Sequence, residues 1–380
     1  MKSYLELFFV AACAAWLCTP AVAALGRRLR AYGQERERGE VIRVPRLGGL
    51  AIVLAVLAGV TALWCTPNGL RATLSGDWFW LGRFLVAGVV VLLVGLYDDL
   101  RGATPGQKLA VQMVAAALAW WLGFRMNALP AVGFPIRFAA VSFFLTVVWI
   151  VAVTNAVNLL DGLDGLAGGV AFFAAISVFV VSLMQQDQPA SALAVILAGA
   201  LLGFLRFNSP PARIFLGDTG SLFLGCVLST LALAVARGAT PMAQTVPYVA
   251  LGLPLLDMVL TVARRAIRGK SLFAADCDHI HHRLVARKQG YRQAILTLYA
   301  VAAATSLGSL LILYFTGSRV VVGIFLAALA AWLVFDQLQY QEFVELALDV
   351  SRLVSVALRP LAGLLMIRQP GGSRASEVSK

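Results

Sequence analysis

Four polar clusters interrupt an otherwise apolar chain, and each carries residue types able to hold a cation or a phosphate. The first is Asp98-Asp99, followed by Lys108. Adjacent carboxylates repel, so burying both in ionised form requires a cation nearby. Neighbours on a helix point about 100° apart, so the two need not touch the same ion. By itself this pair reads more simply as a solvated helix end.

The second cluster runs Asn155-Ala-Val-Asn158-Leu-Leu-Asp161-Gly-Leu-Asp164-Gly165. Polar groups at intervals of three lay a drifting stripe along one side of a helix or 3₁₀ turn. Such a stripe could hold Mg²⁺ and order a diphosphate. The loop has no basic residue of its own, so Asp161 and Asp164 call for a cation from elsewhere. Gly162, Gly165, Gly168 and Gly169 let backbone approach a ligand closely. A capped loop with turn glycines explains the glycines but not the stripe.

The third cluster spans Asn208 to Ser221 and contains Gly217-Asp218-Thr219-Gly220. An aspartate beside hydroxyls at a helix start suits a metal–phosphate contact. Plain N-capping by Asp218, Thr219 or Ser221 explains it equally well. The fourth is Asp276-Cys-Asp278-His279-Ile-His281-His282, which holds all 3 histidines of the chain. They could donate hydrogen bonds to a pyrophosphate or a sugar. Zinc is the rival ligand, but His281 points away from His279 and His282 if the segment is helical. Together the four clusters supply what phosphoryl transfer needs: a metal, acids to hold it, and donors for phosphate oxygens.

The elements that must position these residues are membrane helices. Of 380 residues 60% are hydrophobic and only 13% charged, and the mean hydropathy is +0.83. A soluble domain averages about 25% charged residues, so lipid must be the solvent for much of this surface. The expected fold is an all-α, polytopic membrane bundle of about eleven spans: 4–26, 47–66, 78–97, 109–124, 138–157, 169–185, 190–207, 221–236, 243–263, 293–315 and 319–335. This transmembrane domain occupies 1–336. The remaining 337–380 reads as an amphipathic helix on the inner surface (343–358) and a disordered tail. The first span is too long for a signal peptide's apolar core and is followed by Arg27, Arg28 and Arg30, so it reads as an anchor.

Charge sorts by loop parity. Of the 31 Lys and Arg residues, 24 fall in the loops after odd-numbered spans and in the C-terminal tail. That asymmetry puts those loops and the tail in the cytoplasm of an inner (plasma) membrane protein, and all four polar clusters with them. The net charge of +12 is spent on topology and on an anionic donor, which argues against nucleic acid. The 5 cysteines read as packing residues without a disulfide framework.

These residues resemble the polyprenyl-phosphate N-acetylhexosamine-1-phosphate transferase superfamily, in its bacterial UDP-GlcNAc branch. The resemblance is collinear and runs to about residue 335. It includes Pro45-Arg-Leu-Gly-Gly49, Asp98-Asp99, Asn158 to Asp164, Asn208 to Ser221, and His279-Ile-His-His282. It implies attack by a lipid phosphate, such as undecaprenyl phosphate, on the sugar-bearing phosphorus of a UDP-sugar, releasing UMP. It also implies a need for Mg²⁺, with Mn²⁺ as a substitute. Carried over by motif, Asp218 and Asn158 are the metal contacts, and Asp98, Asp99, Asp161 and Asp218 are the catalytic acids. Arg46, Gly48, Gly49, Lys108, Asn158, Asp164, Asn208, His279, His281 and His282 are the substrate contacts. The family's lysine or histidine before the glycine pair is replaced here by Arg43 and Arg46, which leaves open which arginine reaches the donor. Other UDP-HexNAc donors and UDP-MurNAc-pentapeptide stay open, as does a homodimer. A secondary transporter would keep its ionisable groups near the midplane, where only Asp257 is expected.

Overall fold

In a computed structural model of the protein, residues 1–37, 40–66, 69–74, 78–129, 133–237, 240–267 and 291–314 are described. All belong to one compact unit, Met1–Ala331. Twelve helices and one hairpin make up these residues: α1 (Lys2–Arg28), β1 (Tyr32–Glu37), β2 (Glu40–Pro45), α2 (Gly48–Cys65), α3 (Gly69–Leu74), α4 (Trp78–Arg101), α5 (Pro105–Trp121), α6 (Ala139–Leu160), α7 (Leu166–Met184), α8 (Gln188–Asn208), α9 (Gly217–Val235), α10 (Pro241–Ala250), α11 (Gly252–Ile267) and α12 (Tyr291–Tyr314). The protein is an all-α, multi-pass membrane protein.

Seven of these helices are long and apolar enough to cross a bilayer, or eight if the pair α10–α11 counts as one bent span. The sequence suggested eleven. The expected span 243–263 is two helices meeting at 60°, with Pro247 inside α10 and Gly252 opening α11. Proline lacks the N–H that would continue the ladder, and glycine holds a helix weakly. The expected span 109–124 is a helix of 17 residues. The expected span 319–335, the helix 343–358 and the tail lie outside the described residues.

Local signals fix several helix starts. Thr104 and Gln107 form a reciprocal capping box with Pro105 in the first turn of α5, which satisfies two of the four orphan N–H groups. Asp187 and Thr240 cap α8 and α10 by accepting from Ala190 and Ala243. The position of Lys108 one turn into α5 therefore follows from the sequence just before it.

α9 is the centre of the bundle. It packs against α2, α4, α6 and α7, and its apolar residues are buried on every side, including Leu222, Phe223, Leu228 and Leu231 at 0–1% exposure. A helix apolar all round has to be enclosed by other helices. α1 packs on α2 and α8, and α12 on α7 and α10. Leu5, Phe9, Trp16 and Leu17 on α1 and Phe144 on α6 stay exposed, as lipid-facing side chains should.

Among the described residues the two strands form one hairpin, β1–β2, antiparallel with Tyr32 opposite Pro45, and a single antiparallel bridge joins Ala128 to Pro135. Tyr32, Val41, Ile42 and Val44 favour strand, but the charges among them hide the alternation.

Candidate active site

Five chain segments meet at one end of the bundle: the end of α4, the start of α5, the end of α6, the α8–α9 connection and the turn entering α2. The turn entering α2 docks through its backbone. Phe215 donates its N–H to Pro45 at 2.8 Å, and Gly48 and Gly49 donate to the carbonyls of Phe215 and Leu216, both at 2.9 Å. Gly49 lies so close to α9 that a Cβ there would overlap the backbone of Gly220. The paired glycines thus let two backbones touch, and their N–H groups are spent on that docking.

Docking brings Arg46 beside two carboxylates. Its guanidinium lies 3.2 Å from Asp99 and 3.7 Å from Asp218. Arg43, in β2, is exposed. On the far side, Lys108 Nζ donates to Asp218 Oδ2 at 2.7 Å and lies 3.6 Å from Asp98 Oδ1. The charges alternate: arginine, two acids, lysine, third acid.

Asp99 differs from its neighbours. Its side chain is 0% exposed. Oδ2 accepts from the Thr219 N–H at 2.9 Å and the Thr219 hydroxyl at 2.6 Å, and Oδ1 accepts from the Asp218 N–H at 3.1 Å. Asp99 therefore caps α9 from another helix. Within α9's own start, the residue before the helix, Leu216, supplies no side-chain cap. Gly217 makes this possible with φ +72° and with the Asp99 carboxylate pressed against the place a Cβ would take. Self-capping by Asp218, Thr219 or Ser221, the plain alternative open from sequence, gives way to a cap supplied from α4.

Asp98 and Asp218 keep more of their coordinating capacity. Asp98 accepts the Ala103 N–H at 2.7 Å, and its side chain is 12% exposed, against 13% for Asp218. Ligand oxygens of Asp98, Asp99 and Asp218 all lie within 4.8 Å of one another. An all-oxygen set of this kind suits a hard divalent cation. Burial depresses the affinity of Lys108 for its proton, but the hydrogen bond and charge of Asp218, with those of Asp98, outweigh it and raise the pKa.

The second cluster divides. Asn158 donates to Ser221 Oγ at 2.8 Å, joining α6 to α9 beside the acidic trio. Asn155 pairs with buried Gln112 of α5. Asp161 is half-buried, and its carboxylate makes no hydrogen bond or ion pair among the described residues. Burial, then the charges of Asp218 and Asp99, hold its pKa well above the ordinary carboxylate range. Asp164 is buried and accepts the Ala212 N–H at 2.9 Å. Asn208, 2% exposed, braces its own loop through the Ile214 carbonyl at 2.9 Å.

Four carboxylates (Asp98, Asp99, Asp161, Asp218) face two cations, Arg46 and Lys108. His279, His281 and His282 lie outside the described residues. The partners missed from sequence are Tyr291 and Tyr299 of α12, which bond to Asp164 and Gly165 from more than a hundred residues away.

The chain is similar to proteins of a known family. The profile described as glycosyl transferase family 4 matches residues 81–236, the stretch from α4 to the end of α9. A probable undecaprenyl-phosphate N-acetylglucosaminyl 1-phosphate transferase of Bacillus subtilis (strain 168) is 31% identical over 309 residues, covering 80% of this chain and 84% of that protein. The decaprenyl-phosphate N-acetylglucosaminephosphotransferase of Mycobacterium leprae is 32% identical over 333 residues, covering 80% and 82%. A phospho-N-acetylmuramoyl-pentapeptide-transferase of Heliobacterium modesticaldum is 32% identical over 312 residues, covering 75% and 90%.

Proposed function

The chain belongs to glycosyl transferase family 4, and from that premise we propose that it transfers N-acetylglucosamine 1-phosphate from UDP-GlcNAc to undecaprenyl phosphate. The products are UMP and a lipid-linked diphosphate sugar that starts cell-envelope polysaccharide synthesis. The observation that carries this reading is the acidic trio Asp98, Asp99 and Asp218, interleaved with Lys108 and Arg46 at one end of a lipid-embedded bundle. The relatives with N-acetylglucosamine in their names support the choice of sugar.

The lipid phosphate is already a nucleophilic anion. One of its oxygens attacks the phosphorus attached to the sugar, a new P–O bond forms, and the bond to UMP breaks with its electron pair leaving on UMP. A single displacement suffices, without a phosphosugar held on the enzyme. Mg²⁺, held by Asp218 and Asp98 with Asn158 alongside, would neutralise charge on the diphosphate oxygens. Lys108 and Arg46 lie where they can pair with phosphate oxygens of the two anionic substrates. Asp99 holds the start of α9, so that Asp218 stands beside Lys108 and Arg46. Asp161, Asp164 and Asn208 border the nucleotide, and His279, His281 and His282 take the donor's phosphates or sugar.

The basic loops put this end of the bundle in the cytoplasm of the inner membrane, on the side where UDP-sugars are made. The test is incubation of purified protein with undecaprenyl phosphate, Mg²⁺ and a panel of UDP-sugars that includes UDP-MurNAc-pentapeptide, with UMP release measured. UMP formed from UDP-GlcNAc only when lipid acceptor is present is the expected result. Release from a different donor would move the substrate assignment. Isotope exchange between UMP and UDP-GlcNAc without lipid would overturn the single displacement.

A further inference from the structure

Two phenols of α12 converge on consecutive residues of the loop joining α6 to α7. The Asp164 N–H donates to Tyr291 Oη at 2.9 Å, and Tyr299 Oη donates to the Gly165 carbonyl at 2.7 Å. The tyrosines stand about two turns, or roughly 12 Å, apart along their helix, so their side chains must lean toward each other to reach neighbouring residues. The loop is held from a third direction by Ala212, whose N–H donates to the Asp164 carboxylate at 2.9 Å.

The loop is built to accept this clamp. Gly165 takes φ +75°. Gly169, one turn into α7, leaves the space that the Tyr299 ring fills, since a Cβ there would overlap the ring. Phe173 meets the same ring edge-on, with centroids 6.3 Å apart. Four glycines in eight residues, 162 to 169, give this backbone more freedom than a binding loop can use. The clamp removes it. Asp161, which lies in that loop, is the carboxylate near the acidic trio whose oxygens are left uncommitted by hydrogen bonds or ion pairs among the described residues.

We infer that Tyr291 and Tyr299 are positioning residues of the nucleotide-sugar site, holding the Asp161–Gly165 loop so that Asp161 stands at a fixed place beside the diphosphate of the donor. The inference rests on the transfer reaction proposed above. Neither phenol touches substrate; each acts through the backbone of the loop.

The experiment compares wild-type protein with Tyr299→Phe and Tyr291→Phe, each of which removes one oxygen and keeps the ring. The readouts are the KM for UDP-GlcNAc, the KM for undecaprenyl phosphate, kcat, calorimetric affinity for UMP, and thermal unfolding. Loss of one hydrogen bond that orders a binding loop should raise the donor KM and weaken UMP binding about five- to tenfold. The lipid KM should stay unchanged and kcat should fall less than about threefold. Unchanged donor KM and UMP affinity in both variants would overturn the inference. So would a fall in kcat alone that tracks the loss of folded protein, since that is what a merely structural tyrosine gives. If Tyr299→Phe fails to fold, Tyr291→Phe carries the same comparison. Wild-type protein that binds UMP but releases none from any UDP-sugar would sink the reaction itself, and the inference with it. A working wild type with indifferent phenylalanine variants sinks the inference alone.

Discussion

Asp99, near the end of α4, caps the start of α9 through Thr219, a residue 120 positions later, accepting both its N–H and its hydroxyl. Two helices far apart in sequence are thereby locked so that Asp98 and Asp218 face each other across Lys108. One carboxylate of the adjacent pair organises the site, and the other is left to serve it.

That division predicts different lesions. Asp99→Ala leaves the buried N–H groups of Asp218 and Thr219 without their acceptor, which costs about 1–3 kcal/mol for each group so exposed to loss. Asp98→Ala removes the acceptor of one N–H, that of Ala103, and should be milder in stability, yet at least as damaging to turnover. Thermal unfolding in detergent alongside UMP release separates the two. Equal stability of both variants would contradict the assignment of Asp99.

Asp218→Asn should abolish Mg²⁺-dependent turnover, a loss of about a hundredfold or more on the scale of removing a charge-stabilising group. It should also weaken calorimetric Mg²⁺ binding. Wild-type metal affinity in Asp218→Asn would remove this residue from the cation site.

Gly49→Ala tests the docking of the turn before α2. A methyl group would strike the backbone of Gly220, which cannot rotate aside as a side chain could. Overpacking of this kind costs about 1–3 kcal/mol or more. The expected outcome is lower thermal stability together with lost activity, since Arg46 moves with the turn. Ala at Gly106, where a Cβ meets nothing within 4 Å, is the control and should behave as wild type.

Asp161 gives a pH dependence. Its folded pKa is raised by burial and by Asp218 and Asp99. The folded state thus keeps the proton to higher pH than the unfolded state does, and stability falls as pH rises from the ordinary carboxylate range through the raised value. In chelator, Asp161→Asn should unfold at a temperature about 2–4 °C above wild type at neutral pH, the shift that one kcal/mol produces in a large domain. The gap should close as the pH falls and wild type takes up its proton. A gap that widens toward acid would reverse the sign and refute the argument.

Sequence alone determined the class of molecule and offered the acids that the structure brings together. Long apolar runs set the helices because a bilayer leaves backbone groups no partner except one another, and the basic loops mark one face because charge cannot settle in hydrocarbon. The Asp and Asn residues at the helix ends announced themselves for the same reason: so polar a group beside lipid needs a purpose. Tertiary structure decided how those residues divide the work. Asp99 caps the first turn of α9 while pairing with Arg46, Asp164 accepts the Ala212 N–H, the N–H groups of Gly48 and Gly49 dock the turn before α2, and Arg46 rather than Arg43 reaches the acids. The bend between α10 and α11 and the tyrosine clamp belong to the same class. Periodicity reports which face of one helix meets lipid, whereas a hydrogen bond across a hundred residues depends on where two backbones come to rest.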